Sequence, residues 1–97
     1  MNMQAIMAQA RKMQADLEKT TKEIENTIFN YENENILVEC NGKNEITKIT
    51  IKNNDIVEDK ELLEDVLMVA VNNVLEKVKE EKEKKLGKYT NGLGGLF

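Results

Sequence analysis

Residues 3 to about 28 contain neither glycine nor proline, and their apolar positions return every seven residues. Met3, Ala10, Leu17 and Ile24 form one series, and Ile6, Met13, Thr20 and Thr27 follow each member by three. That spacing admits a long helix with a narrow seam and excludes a strand, whose side chains would alternate faces at every step. At 100° per residue the apolar members occupy an arc of about 80°. The seam turns polar at Thr20 and Thr27, so its second half should adhere weakly. On the opposite flank lie all four cations of the segment: Arg11, Lys12, Lys19 and Lys22. Glu18, Glu23 and Glu25 border them, and an exposed helix face of mixed charge is ordinarily just solvated.

The 97-residue chain carries a formal charge of -4, but the acidity is local. Residues 1–29 balance four basic groups against four acidic ones, and 60–97 balance seven against seven. The middle, 30–59, sets three lysines against seven acids and accounts for the whole excess. This pattern argues against a uniform coat on nucleic acid and leaves room for a local cationic surface. With no histidine and a single cysteine, Cys40, neither a metal centre nor an internal disulfide is expected, and no cofactor is implied. Cys40 reads as a reduced thiol packed as a small hydrophobe. No apolar run suits a membrane span or a signal peptide. Nor does any phosphate-cradling glycine loop lie between strand and helix, so the chain is expected not to be an enzyme.

Beyond the first helix the period changes to two. Ile36 to Cys40 and Glu45 to Lys52 are expected strands joined through Asn41-Gly42, with a short strand possible at Ile28 to Tyr31. A loop of even length would put Ile36, Val38, Cys40, Ile49 and Ile51 on a core face. Leu37 and Ile46 would then meet on the other face, among Glu39, Lys48, Thr50 and Lys52. After Asn53-Asn54-Asp55 a second helix should begin near Asp59 and end with Gly87 as its C-cap. Its main stripe is Leu63, Val66, Leu67, Ala70, Val71, Val74 and Val78. However, Leu62, Met68, Val69 and Leu75 spread apolar surface around most of the cylinder, more than three strands can cover. Self-association is the expected remedy, through Leu37, Ile46, Leu62, Val66, Met68, Val69 and Leu75. Beyond Val78 the helix is rich in lysine and glutamate, with four-residue spacings that favour local pairing.

Four stretches in this order resemble the YbaB/EbfC family of bacterial nucleoid-associated proteins: MQAIMAQARKMQADLEK, ILVECNGKNEITKITI, LLEDVLMVAVNNVLEKV and KLGKYTNGLGGLF. Two loops depart from the family pattern. Residues 30–35 replace a Gly-rich stretch, and Asn53-Asn54-Asp55 lacks the usual proline. The resemblance implies an α+β protomer (α-β-β-β-α) in one domain, 1–97. It would comprise a projecting helix at 1–29, a sheet at 30–53, a core and dimer helix at 58–87 and a flexible tail at 88–97. It further implies a cytoplasmic, nucleoid-associated homodimer whose first helices project and bind double-stranded DNA. The DNA-facing candidates are then Arg11, Lys12, Lys19 and Lys22, with Lys82, Lys84, Lys85 and Lys88 as a second set. The lysines of that second set also have a local explanation in their neighbouring glutamates.

One arginine leaves few bidentate readers of base edges, so such binding should be salt-sensitive and largely independent of sequence. The rival reading is a protein-interaction module that docks a partner through the first-helix seam or the Leu93/Leu96/Phe97 tail. Phosphate binding fades as salt rises, whereas apolar docking persists, which separates the two.

Overall fold

The structure is a computed structural model and describes residues 2–92. Helix α1 spans Met3–Glu25, and its N-cap Asn2 accepts the Gln4 N–H on its side chain at 2.9 Å. The helix ends three residues before the expected Ile28. Thr27 turns back there, donating its hydroxyl to the Glu23 carbonyl (2.7 Å) and its N–H to Ile24 (3.0 Å). Those bonds satisfy carbonyls that a helix end leaves open.

Strands β1 (Phe29–Glu32), β2 (Ile36–Cys40) and β3 (Ile46–Ile51) form one antiparallel sheet in the order β1-β2-β3. Of residues 30–35, the first three belong to β1. The rest form a tight turn in which Asn33 Oδ1 accepts the N–H groups of Asn35 and Ile36. A 3₁₀ turn at Asn54–Glu58 leads into α2, Lys60–Gly92, where Asp59 accepts the Leu62 N–H.

The register pairs Ile36 with Ile51 and Val38 with Ile49, as the alternation requires. One expectation fails. A bulge at Glu39/Cys40 brings Ile46 opposite Cys40, so Ile46 does not meet Leu37 on the outer face. The extra residue in β3 reverses the parity of everything before it. Leu37 stays on the outer face, paired with Glu32 and Thr50.

The core is one line of β2 (Ile36, Val38, Cys40) against one line of α2 (Ala70, Val74, Val78), all fully buried. Cys40 directs its thiol at the Val74 carbonyl, 3.9 Å away, and burial pushes its pKa up. Helix α2 lies over β1 and β2, and Lys77 donates to the Asn30 carbonyl of β1. As a result β3 keeps its inner face open: Ile49 is 48% exposed although its partner Val38 is fully buried.

Gly87 does not end α2, which runs on to Gly92. Leu86 is half-buried and Tyr89 buried, so the apolar stripe continues past the glycine. Residues 88–92, expected to begin a flexible tail, are therefore helical, while 93–97 lie outside the described residues. Tyr89 sits beside Ile6, Ala10 and Met13 of α1, whereas Ile24 abuts the β2–β3 turn. The two helices thus run antiparallel away from the sheet. They draw the molecule out to 68 × 23 × 16 Å, with a radius of gyration of 19.2 Å against about 13 Å for a compact chain of 100 residues.

Candidate nucleic-acid interface

The seam of α1 is covered by α2 only in its second half, the half whose threonines predicted weak adhesion; its first half lines an open groove with Tyr89. Leu17, Thr20 and Thr21 are half-buried and Ile24 is buried, whereas Met3, Ile6, Ala10 and Met13 remain exposed. That contact fixes the rotation of α1. Its opposite side, carrying Arg11, Lys12, Lys19 and Lys22, therefore points outward, and all four residues are exposed. Lys19 and Lys22 rim a shallow depression with Ala15, Glu18, Glu23 and Asn26.

The neighbouring glutamates do not neutralise this face by direct pairing. The ion pairs among the described residues are Lys52–Glu32 at 2.7 Å and Lys85–Glu81 at 3.5 Å, and neither involves α1. Glu18 and Lys22 have the four-residue spacing that often pairs on helices, yet they stay apart. Four exposed cations without a carboxylate partner form a surface that attracts polyanions.

The lysines of α2 are dispersed by the same geometry. Lys85 is engaged with Glu81, and Lys82, seven residues before Tyr89 and so on the same helix face, is half-buried. Lys84 edges a hollow with Phe29, Lys77, Glu80 and Glu81, on the β1 side of the molecule. Lys88 alone joins the first set. Its ammonium lies 5.0 Å from the Tyr89 ring centre, and it lines with Lys12 the groove between α1 and the end of α2. Nothing in the spacing of α2 marks Lys88 as different; the distinction needs the α1–α2 crossing.

The surface expected for self-association also divides. Val66 and Leu75 already pack partly against the core, whereas Leu62, Met68 and Val69 are exposed. Lys77 and Lys84 mark the β1 flank of α2. At 100° per residue, Leu62 and Val69 fall on that flank, and Met68, Val71 and Leu75 on the other, beside β3. Ile46 and Ile49 of β3 are 38% and 48% exposed. Leu75 and Ile51 pack against the core beside them, so the exposed Ile46, Ile49 and Met68 lie at its β3 margin. Sequence alternation puts Ile49 on the core face but leaves it uncovered here, because alternation reports the face of a strand and not whether a helix covers it.

Among the described residues no cluster of His, Cys, Asp and Glu could hold a metal ion, and no helix is long and apolar enough to cross a membrane.

Residues 1–93 match the sequence profile of the YbaB/EbfC DNA-binding family. A nucleoid-associated protein of Ruminiclostridium cellulolyticum is 40% identical over 98 residues, a match spanning 98% of this chain and 85% of that one. A nucleoid-associated protein of Lactococcus lactis subsp. cremoris is 38% identical over 97 residues, spanning 96% and 97%. The crystal structure of an uncharacterized Helicobacter pylori protein superposes with a TM-score of 0.72 at 26% identity, over 97% of this chain and 99% of that one.

Proposed function

Because this chain belongs to the YbaB/EbfC DNA-binding family, we propose that it is a nucleoid-associated protein that binds duplex DNA as a homodimer, largely without regard to sequence. The family is a DNA-binding family and not an enzyme family. The observation that carries the reading is the outward, unpaired set Arg11, Lys12, Lys19 and Lys22 on α1. Lysines meet phosphates as point charges, and a single arginine offers little bidentate recognition of guanine. Contact is therefore with the backbone, and sequence has little purchase on it.

The exposed Ile46 and Ile49 on the inner face of β3 support the dimeric reading. A second copy laid over Ile46, Ile49, Met68 and Leu75 would remove these side chains from water, at roughly 25 cal/mol for each Å² of apolar surface covered. The four α1 cations of each protomer offer a dimer about eight phosphate contacts and Lys88 up to two more, hence a log affinity against log salt slope no steeper than about -9. Gel-shift titration of a random duplex tests the reading. Alanine at Arg11, Lys12, Lys19 and Lys22 together should abolish the shift and leave the dimer intact by light scattering. Unchanged affinity in that variant would refute it.

A further inference from the structure

The four α1 cations are not a row; they are the corners of a frame. With Arg11 set at 0° on the unbroken helix Met3–Glu25, Lys22 falls at about 20°, Lys19 at about 80° and Lys12 at about 100°. The midline of that face is near 50°, and Ala15 lies at about 40°. Along the axis, Arg11 and Lys12 stand about 5–6 Å to one side of Ala15, and Lys19 and Lys22 about 6–10 Å to the other. Ala15 is exposed and lines the end, nearest Arg11 and Lys12, of the depression it shares with Glu18, Lys19, Lys22, Glu23 and Asn26. The bulkier neighbours Glu18 and Glu23 stand at about 340° and 120°, outside the frame on either edge.

We propose that Ala15 is the positioning residue of this surface: its missing bulk lets one sugar-phosphate strand of a duplex lie directly against the helix, so that all four cations reach phosphates at once. This rests on the DNA-binding reading above and adds to it how the backbone seats. Lysine and arginine ammonium and guanidinium groups stand well above a methyl group. The duplex is stiff over this length, so its strand can settle between the two ends of the frame, with the flexible cationic side chains folding around it, only if nothing at the centre holds it off. A side chain as long as leucine at position 15 would prop the strand away and leave the cations to bind it two at a time.

Ala15→Leu tests the idea, because leucine keeps the charge and nearly all the helix propensity of alanine at an exposed position. Fluorescence anisotropy with a random-sequence duplex, repeated across salt concentrations, should show affinity falling about three- to ten-fold. The salt slope should become shallower by up to about 3–4, as two phosphate contacts are lost from each protomer of the dimer. Ala15→Lys, which adds a charge where bulk is added, should recover affinity with a steeper slope. Circular dichroism and light scattering confirm that each variant folds and associates as the parent does. If Ala15→Leu binds with the parent's affinity and slope while the quadruple alanine variant fails to bind, the seating at Ala15 is wrong and the DNA face stands. If both bind as the parent does, the DNA face itself is wrong.

Discussion

Gly42 and Ile24 touch through their backbones. A β-carbon on Gly42 would collide with the Ile24 carbonyl and come within 2.8 Å of the Glu25 nitrogen. The β2–β3 turn is thereby wedged under the last turn of α1, and the wedge sets the angle at which the helix leaves the sheet. The residue of this turn with a positive φ is Asn44 (64°), so Gly42 is needed for space rather than for an unusual backbone conformation.

Gly42→Ala should therefore be costly. Backbone, not a flexible side chain, must move, which puts the loss at about 2 kcal/mol or more. For a domain of this size that lowers the melting temperature by roughly 8–16 °C. Thermal melting by circular dichroism measures it. A change of a degree or two would show that the contact does not brace α1.

Gly87→Ala should do the opposite. The position is helical and an added β-carbon meets nothing within 4 Å, so the gain is about 0.5–1 kcal/mol from reduced backbone freedom. The same melt, run beside the Gly42 variant, reads both signs.

Ile49→Glu should prevent the proposed self-association. A carboxylate on the open face of β3 would be stripped of water on association without a partner. Multi-angle light scattering should report the protomer mass, while Leu62→Glu, on the other flank of α2, should leave the dimer mass unchanged. A dimeric Ile49→Glu protein would place the interface elsewhere.

Lys82→Ala and Lys85→Ala should change duplex affinity by less than about two-fold, because one side chain is half-buried and the other engaged with Glu81. Replacing both Glu18 and Glu23 with glutamine should instead tighten binding roughly three-fold at low salt, by removing like charge beside the phosphates. Anisotropy titrations of the four proteins separate these outcomes.

Cys40 gives an alkaline signature. Burial raises its thiol pKa in the folded protein, so above the ordinary thiol range, about 8.5, the unfolded chain releases this proton first. Stability is unaffected below that range and falls as pH rises through it. Denaturant midpoints measured on either side should show the decline, and Cys40→Ala should remove this component. Its own loss of packing would lower both midpoints together.

The course of the chain is legible in sequence because each element announces its period: seven for α1, two for β2 and β3, and a thick apolar stripe for α2. Asp59 marks the start of α2 because an acidic N-cap is a local device. The errors fall where distant parts decide. Gly87 looks like a helix end until Tyr89 is seen buried beyond it. Ile46 looks outward until the bulge opposite Cys40 turns it. The α1 cations could be placed on one face by arithmetic alone. That Lys88 approaches them while Lys82, Lys84 and Lys85 do not depends on how two helices cross, which no spacing encodes.

The bulge has a consequence for crowding. β3 is one of the two edges of the sheet, and an unbroken edge invites further chains to add on, strand upon strand. The extra residue near Cys40 spoils the regular ladder partway along, and Lys48 sets a charge on the same short edge. Stacking into fibrils is blunted while the oily patch beside it still seeks a single cover. A molecule built this way can be kept at high local concentration along a polymer without gelling.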